Sequence, residues 1–233
     1  MSMQKLKIGI ALALSISATA CQKQPAAVIG APGVPSLGEP SLANADSPPA
    51  GKTYDGPFGL AGKIPVAELE QIGFKPSEGA WGVYFGTPPK PMDGVSDYYI
   101  VAGPNTGLCR IRATVNVDLV NDTGDQLKAK VDQLAEMMKI KYGKHSRLID
   151  LARTEAYRRN PQYWMLGLKE ESVLYAYDWS LEKGAHPRAD GLDNIEISAN
   201  ATSTSKGYAA IQYTYKNFKE CTAEMMKQRA ANL

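Results

Sequence analysis

Residues 108–119 read LCRIRATVNVDL. Cys109, Ile111, Ala113, Val115 and Val117 alternate with Arg110, Arg112, Thr114, Asn116 and Asp118. A period of two sends alternate side chains to opposite faces of an extended chain. The stretch therefore predicts a half-buried β-strand, with Cys109 on the buried face and the arginines on the wet one. Upstream, residues 81–85 and 98–102 read as further strands. Residues 64–73 (IPVAELEQIG) read as a short helix: Pro65 suits a first turn, Gly73 a C-terminal cap, and Val66, Leu69 and Ile72 share one face. Downstream, Thr123 and Gln126 match a capping box that opens a helix. Leu127, Val131, Leu134 and Met138 follow at helical spacing, and Gly143 closes it.

Residues 147–159 are predicted to be helical too, and Asn160-Pro161 restarts the chain as another short helix. Val173, Tyr175, Tyr177 and Trp179 then alternate as a strand. Ile195, Ile197 and Ala199 begin the next, and Ala209, Ile211, Tyr213 and Tyr215 line another before a final helix over 218–231. The fold class expected is α+β, an antiparallel sheet packed with helices. GLCRIRAT at 107–114 is similar to GYAAIQYT at 207–214, and AEMMK occurs at both 135–139 and 223–227. Two related halves would produce these matches, and so would chance at this length. Residues 54–233 hold every aromatic residue of the chain. That length supports a single globular domain burying about 70% of its unfolded surface. In architecture such a domain resembles small periplasmic lipoproteins and inhibitors built of helices against an antiparallel sheet, a likeness that carries no function by itself.

The N-terminus has a different character. Lys5 and Lys7 precede the apolar run IGIALAL, and small residues follow up to Ala20. This is the pattern of a secretory signal peptide over residues 1–20, and the run is shorter than the roughly 20 residues a spanning helix needs. Ala18-Thr19-Ala20-Cys21 resembles the lipobox of bacterial prolipoproteins, although Ala18 stands where Leu is commonest. The resemblance implies that the Cys21 thiol carries a diacylglycerol and that Cys21 becomes the first mature residue. Gln22 in place of Asp resembles the outer-membrane default among Gram-negative lipoproteins. Residues 21–53 then form a Pro-, Ala- and Gly-rich tether, too poor in apolar surface to fold and able to span ~30 Å as a coil.

The net charge of +2 comes from Lys5 and Lys7. The mature chain is therefore neutral, which argues against nucleic acid as a partner. With Cys21 acylated in an oxidising compartment, Cys109 and Cys221 are left to pair with each other.

Motifs for catalysis are lacking. His145 and His186 have no cysteine or second histidine at ligand spacing, so no metal or other cofactor is expected. Asp190, Asp193, Asn194 and Glu196 read as a polar turn rather than a calcium loop. One basic cluster stands out: Lys139, Lys141, Lys144, Arg147, Arg153, Arg158 and Arg159, against Asp150 and Glu155. It reads either as a solvated helical face or, with Tyr157, Tyr163 and Trp164, as a surface for an acidic partner. The expectation is a non-enzymatic lipoprotein, exported, anchored through Cys21 and facing the periplasm from the outer membrane. Its domain would bind a protein partner in envelope assembly or as an inhibitor or immunity protein. An envelope hydrolase using carboxylates that no motif reveals is the alternative.

Overall fold

The computed structural model describes residues 54–180 and 191–231, which fall within one unit, Asn44–Leu233. The signal peptide, Cys21, the tether, His186 and Asp190 lie outside the described residues. Strands β1 (Lys75–Pro76), β2 (Val83–Phe85), β3 (Asp97–Gly103) and β4 (Gly107–Val117) run as consecutive hairpins. Strands β5 (Arg147–Ala152), β6 (Val173–Ser180), β7 (Leu192–Ala201) and β8 (Gly207–Tyr215) also lie side by side in chain order, with two short helices in the connection from β5 to β6. The two meanders join at β4 and β8, giving one eight-stranded sheet in the order β1-β2-β3-β4-β8-β7-β6-β5. Every neighbouring pair is antiparallel. With its helices this is the α+β architecture expected.

Directly paired residues share a face, so the register defines the two sides of the sheet. Ile100, Ile111, Tyr213, Ile195 and Trp179 form one row across β3, β4, β8, β7 and β6. All five are at most 5% exposed. This inner face packs against α2 (Asp125–Tyr142) and α4 (Trp164–Lys169). Leu127, Val131, Leu134, Ala135 and Met138 supply the buried stripe of α2. At roughly 25 cal/mol per Å² of apolar surface, this layer is the main driving term for the fold. The opposite face is more polar and partly exposed, with Thr114 and Thr214 among its buried positions.

Two glycines are set by close approach. At Gly124 (φ +72) a Cβ would run into the Trp164 ring. At Gly107 (φ +66) it would meet the Ile64 and Lys63 carbonyl oxygens at 2.5 and 2.6 Å. Both backbones also lie where an L side chain is strained.

Three expectations are corrected. Residues 147–152 form strand β5, and only Glu155–Arg159 of that stretch are helical (α3). The capping box expected from Thr123 and Gln126 does not form: the N-cap of α2 is Gly124, which carries no side-chain cap, and Asn121 bonds the first turn from outside the helix. Asn121 Oδ1 accepts the Asp125 N–H at 2.9 Å, and Gln126 Oε1 accepts the Asn121 N–H at 2.9 Å. Asp193, Asn194 and Glu196 are not in a turn but in β7.

The repeat is visible in the strands only. The sequence offset of 107–114 to 207–214 makes Arg112 equivalent to Gln212, and these two are paired across the β4–β8 seam. A local twofold axis through that pair would put both following helices on one face. Instead α2 lies on the inner face, while α5 (Phe218–Ala231) contacts β3 and β4 and sets the Phe218 ring 3.7 Å from the Arg110 guanidinium on the outer face. The shared AEMMK packs differently as well: Met138 is buried, whereas its counterpart Met226 is 72% exposed.

Candidate functional site

Cys109 and Cys221 form a disulfide that closes a separation of 112 residues, with their Cα atoms 6.4 Å apart. Both are fully buried. Cys109 does not share the inner face with Ile111 as alternation predicts. It is the extra residue of a bulge, with Val101 paired to Arg110 and Ala102 to Leu108, and its bond fastens α5 to the outer side of β4 beside the β3–β4 turn. There Glu224 accepts hydrogen bonds from the Asn105 and Thr106 amides (2.9 and 3.0 Å) and from the Thr106 hydroxyl (2.7 Å). Burial pushes the Glu224 carboxyl up, but these donors outweigh it and hold the group below the usual carboxylate range.

The basic segment divides into unlike parts. Arg147 opens β5 and reaches Asp178 at 3.7 Å. Arg158 and Arg159 both turn to Glu155, the first at 2.7 Å, so much of their charge is met within α3. Arg153 is exposed and has no ion pair among the described residues. Trp164 is 7% exposed; its ring lies under the Lys128 ammonium at 4.4 Å and presents little surface. Tyr163, at 49% exposure, is the aromatic that faces outward.

What sequence reasoning missed is that this segment supplies the edge of the sheet. β5 pairs only with β6, and its other side has no strand among the described residues. The Arg153 N–H donates to the Ser172 carbonyl in continuation of that register. Antiparallel pairs alternate, so Leu148, Asp150 and Ala152 direct their amides and carbonyls to the open side. Leu148 and Leu151 are 45% and 47% exposed.

A second surface is the outer face. Tyr99, Arg112, Gln212, Glu196, Asp178 and Arg147 form one cross-strand row over six strands. The neighbouring row contains Arg110, Thr214 and Asn194. Arg110 and Arg112 thus stand side by side, two residues apart on one strand.

A further carboxylate joins a helix to the sheet. Asp132 Oδ1 on α2 accepts the Tyr175 and Tyr177 hydroxyls at 2.7 and 3.0 Å, fastening α2 to β6. Burial, and then the hydrogen bond to Asp132, raise both phenols above their ordinary pKa. A phenol whose folded pKa is raised contributes stability that is fully present below pH ~10 and lost as pH rises through the folded value. Tyr175→Phe should therefore lower stability near neutral pH by about 1.5–3 kcal/mol, as for a hydrogen bond to a charged group. It should also flatten the fall of Tm between pH 9 and 11. Thermal melts of both proteins across that range check this; an unchanged alkaline slope would remove Tyr175 from the account.

Among the described residues no helix is long and apolar enough to cross a membrane, and no three His, Cys, Asp or Glu side chains cluster as a metal site would require. Comparison with protein-family models, with curated proteins and with solved structures finds no match.

Proposed function

We propose that this chain is a lipid-anchored envelope protein whose domain binds an extended segment of a protein partner along β5. The carrying observation is the open side of β5: an edge strand with outward backbone groups, two half-exposed leucines and, beside it, Arg153 with no ion pair among the described residues. An edge of this kind is a template for strand addition, in which backbone hydrogen bonds give affinity and alternate side chains give selectivity. Arg147 and Asp150 within the strand act against pairing with a second copy, because charged edges resist nonspecific pairing. The basic flank favours a partner strand carrying acidic residues. The internal disulfide supports an exported domain, since such bonds persist in oxidising compartments. Assembly of the envelope and inhibition of an enzyme are both served by such a surface.

A photo-crosslinking residue at Asp150 should yield one discrete adduct in envelope preparations, and the same residue at Glu70 on α1 (Val66–Ile72) should yield none. Asp150→Pro removes an outward N–H without breaking a β5–β6 bond, so it should abolish capture with little change in Tm. Asp150→Ala should retain capture. If the proline variant captured the same protein as the parent, binding through β5 would be refuted.

A further inference from the structure

Arg110 and Arg112 pose a physical problem that the fold alone does not solve. Both side chains are half-buried on the outer face, and the Nε of each is buried without a hydrogen-bond partner. Neither guanidinium makes an ion pair among the described residues. The contacts they do have are neutral. Arg110 lies over the Phe218 ring at 3.7 Å. Arg112 has the Tyr99 and Tyr208 rings at 5.7 and 6.0 Å, and its Nη2 donates to Asn200 Oδ1 at 3.3 Å. Burial, and then the charge of Arg112, hold the Arg110 guanidinium below its ordinary pKa, with Glu196 acting in the opposite direction.

Two partly desolvated cations of like sign, spaced by one pleat, are costly to hold together when no carboxylate among the described residues pairs directly with either. A third polar group nearby has the same character: the Oδ1 of Asn194, across β8 from Arg110, is buried and unpartnered. Unsatisfied buried polar groups are rare in folded proteins, and a cluster of them needs a cause. Structural salt bridging is not that cause here.

We infer that Arg110 and Arg112 form a binding site for an oxyanion, a carboxylate or phosphate group carried by a small molecule, a glycan or a lipid headgroup. Two arginines at i and i+2 on a strand stand about 7 Å apart, so their terminal nitrogens can converge on a single anion. The guanidinium fork matches carboxylate and phosphate oxygens in a bidentate manner, and such charge-assisted bonds are roughly twice as strong as neutral ones. Phe218, Tyr99 and Tyr208 keep the forks in place, and the Tyr99 and Tyr208 rings offer flat surface to the body that carries the anion. The site lies on the sheet face, away from the open side of β5, and is independent of the strand-addition surface.

The test follows the arginine Nε–Hε resonances of the mature chain by NMR while inorganic phosphate or acetate replaces chloride at constant ionic strength. The Arg110 and Arg112 signals should shift saturably, while those of Arg153, Arg158 and Arg159 stay with ionic strength. Arg112→Gln should weaken binding at least tenfold with the melting temperature maintained, and Arg112→Lys, which keeps charge but loses the fork, should weaken it as well. The anion that saturates at lower concentration identifies the group, and vesicles with and without anionic phospholipid then separate a headgroup from a free ligand. If all arginines shifted together without saturation, or if saturable binding survived Arg110→Gln combined with Arg112→Gln, the site would be refuted.

Discussion

Replacing both cysteines of the disulfide, as Cys109→Ala with Cys221→Ala, should cost about 4–5 kcal/mol in the chain-entropy account of a cross-link closing a loop of this length. For a domain of this size that corresponds to a fall in Tm of roughly 10–15 °C. The loss should be uneven. Cys221 is the only residue of α5 that is buried, so α5 has no broad apolar stripe to keep it docked once the bond is gone. What stays is the Phe218 ring against Arg110, the Glu224 clamp on Asn105 and Thr106, and the Asn217 amide on the Thr106 and Leu108 carbonyls. Amide exchange should therefore accelerate in α5 far more than in β4, where Leu108 and Ile111 sit in the core. Because the clamp needs an ionised Glu224 whose pKa is depressed, its contribution is present above pH ~4.5 and lost as pH falls through the folded value. The double variant should accordingly melt α5 early in acid. A Tm within 2 °C of the parent, or uniform exchange, would show that the bond adds nothing to the docking of α5.

The strands with one wet face were legible because alternation survives wherever one face is buried. β4, β6 and β8 are of this kind. β5 was not, and the reason is local. Leu148, Ile149, Leu151 and Ala152 fall at spacings of one, three and four, which is as good a helical stripe as any in the chain. An edge strand exposed on both faces has no period to display: its side chains are all exposed or half-exposed. The capping box expected at Thr123 does not form because the chain enters α2 through Gly124 in the left-handed region, which leaves Thr123 outside the N-cap position. The outer face was hidden for a different reason. Alternation puts Arg112 on the wet face, but its alignment with Gln212, Glu196 and Asp178 in one row depends on β4 lying beside β8. That pairing joins residues about a hundred positions apart, and no local pattern encodes it.

Cys21→Ser should convert the protein from membrane-bound to freely soluble after export. Each buried acyl methylene contributes roughly 0.8 kcal/mol, so one chain gives reversible binding and two or three give a stable anchor. Nothing among the described residues is suited to replace it. Basic and acidic side chains balance once residues 1–20 are removed, so no polybasic attraction to anionic lipid supplements the chains. No helix among the described residues can span a bilayer. The parent should therefore need detergent, not high salt, for release from membranes, and the variant should leave with the soluble fraction. The disulfide provides the control for export: in a variant that has reached the oxidising compartment, Cys109 and Cys221 should stay unreactive to thiol reagents even after unfolding. Soluble protein with two reactive thiols would mean arrest in the cytoplasm, and the fractionation would then say nothing of the anchor. Oxidised protein that still sediments with membrane would show that something other than acylation at Cys21 holds it there.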